Sequence, residues 1–152
     1  MKILFLTKYT RKGASSRYRS YNYKKWFEKE GVEAVYSPLF NDLYFRYLHG
    51  NVLMKNLVAL WCMVKRVFYL FFHAKKYDHV VIEYELFPKL PLGLELFFLK
   101  KIKSFSLDFD DNISANYAGT SLQNKIPELM KLAKFVTVGN HWYISEFQGN
   151  LI

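Results

Sequence analysis

The chain holds a single cysteine, Cys62, so no disulfide can form within it, and such sparing use of thiols fits a reducing compartment. Four histidines, His49, His73, His79 and His141, share no metal-ligand spacing with one another or with Cys62, which excludes a zinc site. Glycine is scarce where a nucleotide loop would need it. The loop after the first apolar run carries only Gly13, so neither G-x-G-x-x-G nor G-x-x-x-x-G-K-[ST] is present. Negative charge is in deficit, with 13 acidic residues against 22 basic ones and a formal charge of +9. That balance implies anionic company: phosphorylated substrates, an acidic membrane face or nucleic acid. The apolar run after Lys2 is too short for a secretory signal before Lys8, Arg11 and Lys12 intervene. The expected location is therefore cytoplasmic, with peripheral contact at the inner face of the cell membrane.

What is present is a globular chain of 152 residues, 51% hydrophobic and 23% charged, the size of one domain. Lys2 to Thr7 has no polar face and reads as a strand buried on both sides. A polar loop follows, then a helix expected over Arg17 to Glu30, with Ser15 or Ser16 as N-cap and Gly31 as terminator. Further strands are expected at Val32 to Ser37, Asp78 to Glu83, Ser104 to Leu107 and Phe135 to Val138. Aromatic residues from Leu39 to Gly50 lead into a short helix. Helices are expected at Val52 to Ala74, Leu92 to Lys103, Ser121 to Ala133 (kinked by Pro127) and from His141. Strands alternate with helices throughout. The pattern predicts a Rossmann-like three-layer α/β/α domain with a parallel sheet covered on both faces.

The helix over Val52 to Ala74 is apolar on one stripe (Leu53, Leu57, Leu60, Val64, Val67, Phe68, Phe71) and on the other side as well. Lys65 and Arg66 sit near its centre, and each would cost roughly 2.5–3.5 kcal/mol in a bilayer. A buried crossover helix is the expectation. The competing reading is a helix that touches an anionic bilayer through Trp61, the phenylalanines, Lys55, Lys65 and Arg66.

In a parallel α/β sheet, ligands sit at the carboxyl ends of the strands. Gly13, Ser15, Ser16, Arg17 and Arg19 follow the first strand, Glu83 and Glu85 the third, Asp108, Asp110 and Asp111 the fourth, and Asn140 the fifth. Arginines in the first turn of a helix oppose its dipole, a local conflict that points to a phosphate or carboxylate ligand. The bland alternative is that Gly13 turns a surface loop and the arginines are solvated. An acid of the Asp108 to Asp111 cluster could orient or deprotonate a hydroxyl, or merely cap a turn.

Lys2 to Thr7 with Gly13-Ala14-Ser15-Ser16-Arg17-Tyr18-Arg19 resembles the opening of GT-B glycosyltransferases of the family 4 type. The resemblance continues in order through Tyr77 to Ile82, Glu85-Leu86-Phe87-Pro88, Asp108-Phe109-Asp110-Asp111 and Phe135 to Asn140. It implies the amino-terminal, acceptor-side half of a two-domain retaining enzyme. A separate carboxyl-terminal domain would bind most of the nucleotide-sugar donor, and residues 1–152 by themselves would be inactive. It also implies no tightly bound cofactor, no metal, a glycan or lipid-linked acceptor, and polysaccharide or cell-envelope synthesis. Gly13, Ser15, Ser16 and Arg17 would line the cleft near the donor phosphates or the acceptor. Many relatives carry a histidine after the fourth strand, where this chain has acids.

Two other classes stay open on the residues. Asp108-Phe109-Asp110-Asp111-Asn112 nearly fits the D-x-D-x-[TV] signature of Mg²⁺-dependent phosphatases of the haloacid dehalogenase type, with Asp108 as nucleophile and Asp110 as acid/base. A basic, aromatic-rich module that binds membrane or nucleic acid is the non-enzymatic alternative. The charge is spread along the chain and no nucleic-acid motif is present, so no nucleic-acid partner is expected.

Overall fold

A computed structural model describes residues 1–139. Five strands, β1 (Lys2–Leu6), β2 (Glu33–Tyr36), β3 (His79–Glu83), β4 (Phe105–Phe109) and β5 (Val136–Val138), pair in parallel in the order β2-β1-β3-β4-β5. The register runs Lys2 to Glu33 between β1 and β2, and Ile3 to His79 between β1 and β3. Helices α1 (Ala14–Arg19) and α2 (Lys24–Lys29) lie on one face, where Phe27 packs 5.2 Å from Phe5, ring to ring. A short helix α3 (Asp42–Tyr47) precedes α4 (Val52–His73). With α5 (Leu92–Leu99) and α6 (Lys125–Leu132), α4 covers the other face. The domain is thus an α/β Rossmann-like arrangement.

Side-chain alternation decides which residues make the core. Leu4, Leu6, Val80, Ile82, Phe105 and Leu107 point toward α4–α6, where they meet Leu70, Phe98, Ile126 and Leu129. Each such side chain, once fully buried, is worth about 1.5–3 kcal/mol. The opposite face carries Phe5 at the centre, but His79, Ser106, Asp108 and Thr137 toward β5. There His79 stacks on Phe135 and hydrogen bonds the Ser104 and Ser106 hydroxyls, each at 3.0 Å.

Several boundaries differ from the sequence reading. The expected helix over Arg17 to Glu30 breaks at Ser20 (φ −125°, ψ −61°), a 3₁₀ turn at Tyr21–Tyr23 intervenes, and α1 begins earlier with Gly13 as its N-cap, not Ser15 or Ser16. Arg17 and Arg19 consequently lie in the last turn of α1, where cations suit the dipole, so the conflict expected for them disappears. Gly31, at φ +68°, does close α2: its N–H reaches the Glu28 carbonyl at 3.1 Å, and the Val32 N–H reaches that of Phe27 at 2.8 Å. Strand β4 runs on to Phe109, which puts Asp108 inside the strand. Helix α6 starts at Lys125, so Pro127 falls in its first turn, where a missing N–H does no harm and no kink arises. The helix expected from His141 lies outside the described residues.

The largest correction concerns α4. It is the crossover from β2 to β3, but its buried line is Val58, Cys62, Arg66 and Leu70. The stripe Leu53, Leu57, Leu60, Phe68 and Phe71 faces outward. By length and composition the segment Val52–Lys76 would suffice to cross a membrane, but this helix is anchored to the sheet. Arg66 shows why a charge sits on the inner line: its guanidinium donates to the carbonyls of Thr7 (3.2 Å) and Ser37 (2.9 Å), just past the ends of β1 and β2. Burial pulls its pKa down to about 10, still charged at neutral pH.

Candidate functional site

In a sheet of order 2-1-3-4-5 the chain reverses direction between β1 and β3, which opens a crevice beyond their carboxyl ends. A cleft of about 730 Å³ lies there. One wall is the loop after β1 (Lys8, Tyr9), another is Phe40, Tyr44 and the first half of α4, and the third is the β3–α5 segment with Tyr117. Phe40 and Tyr44 stack at 4.1 Å between centroids, so the aromatic stretch after β2 does reach the site.

Glu83, the last residue of β3, organises this rim. Its carboxylate accepts from the Lys8 backbone N–H (2.7 Å), the Ser16 hydroxyl (2.5 Å) and the Ser20 hydroxyl (3.3 Å). Ser16 in turn accepts from the Tyr9 N–H at 3.0 Å. Burial raises the Glu83 pKa, against the lowering effect of Ser16 and Lys8. Ser16 is therefore a tie between α1 and β3, not a cap or a free phosphate donor.

Gly13 has a steric reason to be glycine. A Cβ there would lie 2.5 Å from the Cβ of Tyr9, with no flexible side-chain end to move aside. Gly13→Ala is expected to destabilise the fold by about 1–3 kcal/mol through overpacking. A lower urea midpoint with unchanged m-value would register it.

The β3–α5 segment is strained. Tyr84 takes φ +66° in a γ-turn closed by the Glu85 N–H to the Glu83 carbonyl at 3.0 Å, and Lys89 takes φ +64°. Such conformations cost about 1–3 kcal/mol each in non-glycine residues and gather at functional sites. Beneath them, Glu85 receives the Tyr117 hydroxyl (2.7 Å) and the Lys125 ammonium (2.5 Å). Lys125 also contacts Glu95 at 2.7 Å and the Phe87 carbonyl at 2.7 Å. Glu95 accepts from the N–H groups of Leu86 (3.1 Å) and Phe87 (3.2 Å), and burial raises its pKa against the pull of Lys125. Glu85 is thus part of the frame that holds the strained segment.

On the opposite face, Arg19 grips Asp108 with two hydrogen bonds and the Thr137 hydroxyl donates to the same carboxylate. Both Asp108 oxygens are taken, and so is the Arg19 fork. Ser15 is half-buried, and Arg17 rests on the Tyr18 ring at 5.0 Å. Asp111 is exposed. Asp110 is the exception among the acids: its Oδ1 is buried with no hydrogen-bond partner. Gly139 packs on its backbone, and a Cβ there would sit 3.2 Å from the Asp110 Cα. Asn140 lies outside the described residues.

With Glu83 and Glu85 engaged, the charges left over on the cleft lining are Lys8, Lys55 and Lys89, none of which has a carboxylate partner among the described residues. The Lys8 ammonium lies 4.7 Å from the Tyr84 ring centroid and 5.4 Å from that of Tyr9. Cations on aromatic walls suit an anionic ligand with a flat or apolar part. Sequence reasoning gave Lys55 only a membrane-facing role and missed Lys8, Lys89, Tyr9, Glu95 and Lys125 as site residues; a lone acid in the apolar run Leu92 to Leu99 was a visible sign of the last pair. Among the described residues no cluster of His, Cys, Asp and Glu could hold a metal ion. No protein-family model matches the chain, and no curated protein matches it.

Proposed function

We propose that this domain is the acceptor-side half of a glycosyltransferase that uses a nucleotide-sugar donor. The observation that carries the reading is the cleft at the β1/β3 reversal, whose unmatched charges are lysines and whose walls are aromatic. Phosphate charge would meet Lys8, Lys55 and Lys89, and Phe40 and Tyr44 would stack on the sugar or the apolar part of the acceptor. The ordered resemblance of the strand-end motifs to family 4 supports the same reading. A second domain clamping the donor across the cleft completes the reaction, because transfer needs both substrates held in one geometry.

Asp110 is half-buried beyond β4 and outside the cleft lining, and its Oδ1 is buried; in this proposal its other carboxylate oxygen orients the acceptor hydroxyl. Asp108 is committed to Arg19, which leaves the phosphatase alternative without a free nucleophile. The test is turnover of a panel of nucleotide sugars by the full-length gene product. Asp110→Asn is expected to lower kcat about 100-fold or more with the fold retained, since the amide is nearly isosteric with the carboxylate but cannot accept a proton. Full activity in Asp110→Asn would remove that role. Absence of a second Rossmann-like domain from the full-length product, or Mg²⁺-dependent phosphate-ester hydrolysis lost in Asp108→Asn, would overturn the reading.

A further inference from the structure

The outward side of α4 is built the wrong way round for water. Its inner line carries Arg66 and Cys62, while Leu57, Leu60, Trp61, Phe68 and Phe71 point outward, each more than half exposed. Helical spacing sets the two stripes on opposite sides of one helix. Phe97 of α5 extends the patch, at 51% exposure. Lysines border it: Lys65 lies 5.2 Å from the Trp61 ring, and Lys101 lies 4.2 Å from the Phe71 ring and 4.3 Å from that of Phe97. Helix α4 contains no acidic residue, and the one acid of α5, Glu95, is buried against Lys125.

We infer that this face docks on a bilayer bearing anionic headgroups, with α4 lying in the plane of the interface. Phenylalanine and leucine would enter the acyl boundary, Trp61 would sit at headgroup depth, and the lysine stems would run over the apolar surface with their ammonium groups among the lipid phosphates. A second copy of the chain fits poorly, because pairing two such faces would set like charges together with no carboxylate to answer them. A spanning orientation would tear Leu70 from the core, Arg66 from the Thr7 and Ser37 carbonyls, and Val58 from Leu39 and Phe40. Leu60 and Lys55 belong both to α4 and to the cleft lining, so docking brings the mouth of the cleft to the membrane surface. The inference rests on this face and not on sugar transfer.

Flotation with vesicles of phosphatidylcholine alone, and of phosphatidylcholine mixed with phosphatidylglycerol, tests it on the whole 152-residue chain. Binding to the anionic vesicles is expected to exceed that to neutral ones by about tenfold or more, and to weaken similarly in Lys65→Glu/Lys101→Glu. Trp61→Glu/Phe68→Glu is expected to abolish it with thermal unfolding unchanged, since both side chains are exposed. Trp26→Glu, which alters an exposed aromatic of α2, is expected to have no effect. Failure to bind anionic vesicles, equal binding to neutral ones, or binding that survives Trp61→Glu/Phe68→Glu would overturn the proposal. So would a concentration-dependent dimer that Trp61→Glu/Phe68→Glu dissociates, with no vesicle affinity in the parent chain.

Discussion

Lys125→Met is expected to destabilise the domain by about 3–5 kcal/mol, a large part of the 5–15 kcal/mol typical of a folded domain. The ammonium is almost wholly buried between Glu85 (2.5 Å) and Glu95 (2.7 Å). Its removal leaves two carboxylates in a medium that solvates them poorly, and methionine offers neither charge nor donor. The loss should depend on pH in a definite sense. Burial already raises the Glu95 pKa in the folded state, so the native form holds this proton more tightly than the unfolded chain does. Stability from that proton is complete below the ordinary carboxylate value and is lost as pH rises through the raised one. Without Lys125 the raising effect grows, so the variant should lie closest to the parent at mildly acidic pH and fall furthest behind at neutral pH. Urea titrations of both proteins across that range would reveal this; a deficit independent of pH would contradict it.

Glu83→Ala is the second large effect, about 3 kcal/mol, because the Lys8 N–H and the hydroxyls of Ser16 and Ser20 lose a charged acceptor at once. The loop from Lys8 to Gly13 and helix α1 should loosen together, seen as faster amide exchange there than across β3–β4. Glu83→Gln keeps an acceptor oxygen and should recover part of the loss. Its stability relative to the parent should rise with pH, since the raised Glu83 pKa makes the parent lose stability as that carboxyl ionises, whereas an amide does not titrate. If Glu83→Ala unfolds at the parent's urea midpoint, the carboxylate is not the tie described above.

The strands were legible because apolar, β-branched runs such as Val80-Val81-Ile82 fit few other places, and the parallel sheet followed from their alternation with helices. The break at Ser20 was hidden because nothing local forces it. It goes with Ser16 and Ser20 both turning their hydroxyls to Glu83, more than sixty residues away. The inward stripe of α4 was illegible for a different reason: both sides of the helix are apolar, and the inner one was marked by an arginine, which composition argues outward. At the rim, the positions of Gly13, Glu83, Glu85 and Asp110 at or just beyond strand ends could be read. Which acids were already matched could not, because Arg19 meets Asp108, and Lys125 meets Glu85, only after the sheet has formed.

The register of β1 has a kinetic side. One neighbour, β2, is made soon after it, but the other, β3, follows only once the whole of α4 has been synthesised. Until then the nascent chain carries a half-paired apolar strand and a long greasy helix with no sheet to rest on. Non-local parallel pairing of this kind is slow, and such intermediates aggregate. Cell-free synthesis should therefore return more native protein when anionic vesicles are present to shelter α4 than in plain buffer.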